Sequence, residues 1–336
     1  MVSVVRKTSY IGSIALLAAV ATVALTLHLA QGYTGQFQLQ RPVQQSTNST
    51  FAVSTAPYPR HATDQDGHQF TFLHATRRVA SQYWSIDELL YSILPPQSVV
   101  GVSEYAYDPG TSNVHQWAQA FQPTITANPE TVLTAAPDLL LVSSSARADL
   151  TDLLRNAGLP SFRMFTNYRT LDEIASNILL TGYLTGHDSA AHRIHEEFQR
   201  AIQRAAARKP GGVASPRVLG YSGRYSYGSQ TSFHDVLRLL GATNVAAEHG
   251  LLGYEAINTE QILRWNPEWI VSRADPEETT VVLRRLLEDP AIALTMAAQK
   301  GQILVLANNV FLPMSPFTVT LLDVLSEAFY GNRAKS

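Results

Sequence analysis

Residues 128–141 and 258–271 carry one pattern twice. Asn128-Pro129-Glu130-Thr131-Val132-Leu133 leads into Pro137-Asp138-Leu139-Leu140-Leu141. At an offset of 130 positions, Asn258-Thr259-Glu260-Gln261-Ile262-Leu263 leads into Pro267-Glu268-Trp269-Ile270-Val271. Each copy reads as a helix capped by its Asn, with a Glu in the first turn that complements the helix dipole. The Pro stops the helix before a buried strand. Two copies of such a unit imply two lobes of like build rather than a solenoid. Alone, each Glu has an ordinary role at a helix start. As equivalent points on paired lobes, Glu130 and Glu260 suit docking on a two-fold symmetric partner that presents basic residues.

The chain around the repeat alternates short β-rich runs with helical segments. Strands are expected at 79–81, 99–103, 139–143 and 162–165, with helices at 85–94, 129–136 and 148–157 between them. A second series places strands at 218–221, 269–272 and 303–307 and helices at 233–240, 259–265, 277–287 and 316–329. This alternation predicts an α/β fold with parallel sheets. Between the series, His187 to Arg208 forms the longest helical stretch, with Ile194, Phe198, Ala201, Ile202 and Ala205 on one stripe. At 1.5 Å per residue it spans about 30 Å, enough to bridge two lobes.

Arg6 and Lys7 precede a run from Thr8 through Gln40 with no charged residue, and Ile11 to Ala30 is almost wholly apolar. That reads as an export leader, cleaved or kept as an N-terminal membrane anchor, with the folded body in the periplasm or a similar extracytoplasmic space. Residues 31–76, rich in Gln, Thr, Ser and Pro, read as a flexible tether. The expected organisation is a leader at 1–30, a linker at 31–76, an N-terminal α/β lobe at 77–168, a helical connector at 169–212 and a C-terminal α/β lobe at 213–334. With 25 basic and 27 acidic residues the chain lacks the charge footprint of a nucleic-acid binder. It has no cysteine, which removes disulfides, thiolate metal sites and a Cys nucleophile. His61, His68 and His74 near the tether, and His192 and His195 on the long helix, read as solvated side chains rather than metal ligands.

The ordered series Arg78-Val79-Ala80-Ser81, Asp87-Glu88-Leu89-Leu90-Tyr91, Val99-Val100-Gly101-Val102-Ser103, Asn128-Pro129-Glu130, Pro137-Asp138-Leu139, Leu239-Leu240-Gly241-Ala242 and Asn258-Thr259-Glu260 resembles the helical-backbone periplasmic binding proteins. Those proteins serve ABC importers of cobalamin and ferric siderophores. The resemblance covers about Arg78 to Tyr330. It implies two Rossmann-like lobes joined by one long connecting helix, a ligand cleft between the lobes and limited lobe motion. It further implies a monomer without a cofactor of its own, whose Glu130 and Glu260 engage arginines of an ABC permease dimer. The absence of a lipobox Cys is a departure and argues against a lipoprotein anchor.

In α/β lobes ligands bind beyond the carboxyl ends of the strands. The loops there hold Tyr105, Tyr107 and Trp117 in the first lobe and Tyr221, Arg224, Tyr225, Tyr227, Tyr254 and Arg273 in the second. Aromatic faces suit a large planar or apolar ligand, and Arg suits its carboxylates or phosphates. Residues 103–109, Ser-Glu-Tyr-Ala-Tyr-Asp-Pro, are similar to the corresponding loop of cobalamin binders. A corrinoid and a ferric siderophore rank level as ligand, ahead of heme and of a bare Zn or Mn ion. The alternative is an exported two-lobed enzyme such as a glycosyltransferase or hydrolase, with Glu104 and Asp108 as its acid/base pair. Walker-type, G-x-G-x-x-G and G-x-S-x-G motifs are absent.

Overall fold

Val79-Ala80-Ser81, Leu139–Ser143 and Ser161–Met164 are buried at every position, as strands covered on both faces must be. The computed structural model describes residues 57–331 and divides them into two compact units. The expected leader and most of the expected linker lie outside the described residues. Among the described residues no helix is long and apolar enough to cross a membrane.

The N-terminal unit comprises residues 57–207 and Asn309–Asp323. Strands β1 (Arg60–Thr63) and β2 (Gln69–Phe72) form an antiparallel hairpin. Strands β3 (Val79–Ser81), β4 (Val99–Gly101), β5 (Leu139–Ser143) and β6 (Ser161–Met164) form a parallel sheet in the order β4-β3-β5-β6. Helices α1 (Trp84–Ile93), α2 (Pro129–Ala135) and α3 (Ala148–Asn156) connect these strands. Val132 and Ala135 of α2 and Leu154 of α3 pack with Ala80, Leu140 and Val142 of the sheet. Two longer helices follow, α4 (Leu171–Thr185) and α5 (Asp188–Ala207). A Thr170–Glu173 capping box starts α4, and Gly186 ends it at a φ of 77°. The two helices approach closely: a Cβ on Gly182 would lie 2.3 Å from the Ala191 methyl.

The C-terminal unit comprises Arg208–Asn308 and residues 324–331. Its strands are β7 (Arg217–Ser222), β8 (Tyr225–Tyr227), β9 (Thr243–Asn244), β10 (Tyr254–Ala256), β11 (Trp269–Ala274) and β12 (Ile303–Ala307). Their order is β10-β8-β7-β11-β12, with β9 beside the start of β7. The β7-β11-β12 core is parallel, as expected, and β8 and β10 add an antiparallel ribbon to it. That ribbon corrects the expectation of open loops at 221–228: the chain reverses at Gly223, φ 64°, and re-enters the sheet. Its longer helices are α6 (Ser232–Leu239), α7 (Thr259–Trp265), α8 (Thr279–Glu288) and α9 (Thr318–Tyr330). The division between the units passes through α9, after Asp323.

Residues 57–76, expected as tether, are folded. The Arg60 guanidinium, 2% exposed, pairs with Asp188 at 2.7 Å and donates to the Tyr183 carbonyl. The rings of Tyr58 and Tyr183 lie 4.5 Å and 5.0 Å from it. At the hairpin turn, Asp64 accepts from the amides of Asp66 and His68 and pairs with Arg155. The Gln65 amide donates to the Arg163 carbonyl on β6. Composition hid this element because its stability comes from long-range charged contacts rather than from an apolar period.

Residues 309–323, expected in the C-terminal lobe, belong to the N-terminal unit. The reason is a buried carboxyl. Glu88 on α1 is fully buried and accepts from the Asn113 backbone and side chain and from Ser315 Oγ. Asn113 also donates to the Asn309 carbonyl at 2.9 Å. Burial pushes Glu88 up from 4.5 to about 7, against those hydrogen bonds. The neighbouring Asp87 is pushed up to about 7 by burial, opposed by hydrogen bonds from Ser103.

Two outcomes are expected. Asp188→Ala leaves the Arg60 cation buried without its carboxylate and should cost about 3–5 kcal/mol. Urea denaturation reads this, and a loss below about 1 kcal/mol would contradict the clamp. Glu88 holds a proton in the folded chain between 4.5 and about 7 that the unfolded chain releases. Its contribution is therefore most favourable at acid pH and declines as pH rises through 7. Glu88→Gln should make the stability loss between pH 5 and pH 8 smaller by on the order of 2 kcal/mol. An unchanged pH slope would refute this.

Candidate functional site

Parallel strands leave their carboxyl ends open where the sheet gives way to loops. In the N-terminal unit these ends are followed by Gln82 and Tyr83 after β3, Glu104 and Tyr105 after β4, and Ser144 to Arg147 after β5. All of these except Ser144 line a cavity of about 280 Å³ together with Thr126 and Ala127, just ahead of α2. Gln82 Nε2 donates to the Thr126 carbonyl at 3.0 Å, which ties the β3 end to the start of α2. Tyr105 is 50% exposed here. Burial raises the Tyr83 hydroxyl above its ordinary pKa. Arg147 reaches solvent and pairs with Asp149 at 2.5 Å. Sequence reasoning singled out Tyr105 but missed Gln82, Tyr83, Ser145 and Arg147. The strand-end rule that found Tyr105 applies equally after β3 and β5.

Tyr107 and Trp117 lie elsewhere in this unit. The Trp117 ring is buried, 4.4 Å from Phe121 and 5.5 Å from Tyr91 between centroids. Tyr107 is half-buried and donates its hydroxyl to the Phe121 carbonyl. Both residues meet at Phe121 rather than lining the cavity. Of the carboxylates weighed as an acid/base pair, Glu104 lines the cavity, whereas Asp108 accepts the Gly110 amide in a turn.

In the C-terminal unit the ribbon gathers three of the expected tyrosines. Tyr225 and Tyr227 alternate along β8, and Tyr254 stands opposite Tyr227 on β10, so all three share one face. The rings of Tyr227 and Tyr254 meet edge-on at 5.5 Å. Tyr227 is buried, while Tyr225 and Tyr254 are 45% and 56% exposed. Arg224 sits at the β7–β8 turn, its guanidinium carbon 5.4 Å from the Tyr225 ring centroid. Tyr221 points into the core with Leu219 and Ile270. Arg273 is committed to structure: Nε donates to Tyr227 Oη and Nη1 to Asn308 Oδ1, which itself donates to Asp275. This chain of polar groups closes the carboxyl ends of β11 and β12.

The matched glutamates occupy like places in the two units. Asn128 caps α2 by accepting from the Glu130 amide, and Asn258 caps α7 by accepting from the Gln261 amide. Both glutamates are exposed in the first helical turn, and their carboxylates have no hydrogen-bond or ion-pair partner among the described residues. The Ile257 amide donates to the Arg224 carbonyl, which puts the start of α7 beside the Arg224 turn. So each glutamate lies on the strand-end side of its unit. For metals, the one close group among the described residues is Asp64, Asp66 and His68. Arg155 pairs with both aspartates and Arg163 with Asp66, so the cluster is neutralised by protein cations.

The geometry has counterparts among known proteins. A model described as "Periplasmic binding protein" matches residues 79–310. No curated protein sequence matches the chain. Among solved structures, the chain is similar to the periplasmic heme-binding protein RhuT from Roseiflexus sp. RS-1, at 22% identity and a TM-score of 0.66, over 76% of this chain and 99% of that one. It is similar to a periplasmic heme-binding protein from Pseudomonas aeruginosa, at 24% identity and a TM-score of 0.64, over 76% and 93% of the two chains. CeuE from Helicobacter pylori, a nickel–histidine complex, aligns at 19% identity and a TM-score of 0.63, over 81% and 90%. At these identities the structural likeness establishes the fold. The match over residues 79–310, most of the described chain, shows that the protein belongs to the periplasmic binding protein family.

Proposed function

We propose that this protein is the extracytoplasmic capture component of an ABC importer for a ferric chelate, with heme as the foremost ligand. The observation that carries the reading is the set of exposed tyrosines at strand ends: Tyr105 in one unit, Tyr225 and Tyr254 in the other. A phenolate oxygen is a hard donor suited to Fe(III) and serves as an axial ligand to heme iron. The tyrosyl faces suit the flat macrocycle, and the exposed cations Arg224 and Arg147 suit its carboxylates. Two of the similar proteins are heme-binding proteins, which supports the same choice and moves heme ahead of the corrinoid that the 103–109 loop suggested and of the ferric siderophore. Delivery rests on Glu130 and Glu260, two carboxylates free to meet basic residues of a permease pair. The role is binding and release without turnover.

Titration of the full chain with hemin, cobalamin and a ferric siderophore tests the ligand. Hemin should bind one-to-one with a shifted Soret band, and Phe in place of the ligating tyrosine among Tyr105, Tyr225 and Tyr254 should weaken it roughly tenfold or more. Saturable binding of cobalamin or the siderophore in preference to hemin would replace heme as the ligand. For delivery, Glu130→Arg with Glu260→Arg should leave hemin affinity unchanged and abolish uptake by cells that depend on this protein. Normal uptake by the double variant would end the docking claim.

A further inference from the structure

The two glutamate-bearing helices are held by the same clip, built from residues far from either glutamate in sequence. In the N-terminal unit Arg78 immediately precedes β3. Its Nε donates to the Ala136 carbonyl at 2.8 Å and its Nη2 to the Ala135 carbonyl at 2.7 Å, at the end of α2. Its backbone amide donates to Asp138 Oδ1, and its carbonyl accepts from the Asp138 amide. In the C-terminal unit Arg217 opens β7. Its Nη1 donates to the carbonyls of Trp265 and Asn266, 3.0 Å and 3.1 Å away, at the end of α7. Its amide donates to Glu268 Oε2, and its carbonyl accepts from the Glu268 amide. In both units the helix ends on a non-glycine residue in the left-handed region, Ala136 at φ 44° and Asn266 at φ 43°.

We infer that Arg78 and Arg217 are positioning residues for permease docking, each setting the glutamate at the far end of its helix; this rests on the docking role proposed for Glu130 and Glu260. Helices α2 and α7 are seven residues each, about 10 Å long at 1.5 Å per residue. Helices this short do not hold themselves in water. Their terminal carbonyls lack partners within the helix. The guanidinium supplies donors to those carbonyls in both units; at Arg78 it also places a cation at the negative end of the dipole, whereas the Arg217 charge is paired with Glu248 at 2.7 Å. With Asn128 or Asn258 capping the other end, the helix is tied at both termini to its own unit. The carboxylate then projects from a fixed point although no neighbour holds it. A permease residue meets a pre-placed partner, and less freedom is lost on binding.

A double-mutant cycle tests this. The full chain, with hemin, is added to proteoliposomes made from its source membrane, and stimulated ATP hydrolysis is measured against protein concentration. Concentrations are normalised to active protein by hemin stoichiometry. Arg78→Met should raise the half-saturating concentration about fivefold with the maximal rate preserved, and in a Glu130→Ala background it should add less than about twofold. The pair Arg217→Met and Glu260→Ala should behave alike. Arg78→Lys, which keeps the charge without the two-carbonyl fork, serves if the Met variant does not fold, and it should fall between wild type and Met. An equal rise in both backgrounds, or no rise while Glu130→Ala is itself impaired, would overturn the positioning role and leave docking intact. No impairment in Glu130→Ala with Glu260→Ala, or no stimulation by the wild-type chain, would overturn the docking reading and this inference with it.

Discussion

Parallel strands hydrogen-bonded on both sides and apolar on both faces can face water only at their ends. That constraint organises this protein. Leu139–Ser143, buried throughout, needs a helix on either face and a crossover to reach each neighbour. The crossovers α1, α2 and α3 supply both, and they leave the carboxyl ends of the strands as the place where side chains can project without breaking the core. Tyr105, Glu104 and Arg147 are found there for this reason. In the C-terminal unit a separate parallel sheet is extended by β8 and β10, whose antiparallel pairing aligns three tyrosines on one face. The chemistry of recognition is thus a by-product of where a doubly covered sheet must stop.

Buried ionisable groups play a connecting role throughout. Glu88 gathers the 112–114 loop and the 309–323 segment around one carboxyl, and Asp87 holds the Ser103 turn that leads into Tyr105. Arg60 and Asp188 join the N-terminal hairpin to α5 across 128 positions of sequence. A carboxyl or guanidinium in the interior tolerates few arrangements, because each lost partner leaves a costly orphan. Apolar packing would hold these segments with less directional selectivity.

Local signals carried much of this architecture. Strands β3 and β5 were legible to the residue, because apolar runs bounded by turns are a local signal. The duplicated helix–proline–strand unit was legible because its spacing is constant, and its Asn caps act as read. The arginine clip was not legible, since Arg78 and Arg217 stand farther apart than the two glutamates and fall outside the constant offset of the repeat. The hairpin at 60–72 was hidden by a polar composition whose partners are remote. Trp117 illustrates a different limit: an aromatic near a strand end packs inward or outward by the same composition, and here Tyr91 and Phe121 enclose it.

The hairpin also has a bearing on solubility. Strand β6 ends the order β4-β3-β5-β6, and its outward amide and carbonyl at Arg163 are taken by Asp64 and Gln65 of the hairpin turn. The family-matched region begins only at residue 79. A chain trimmed to that region would keep the sheet and lose its seal, presenting a bare β6 edge to any second copy. The hairpin turn, which lies ahead of the family-matched residues, thus covers the β6 edge at Arg163.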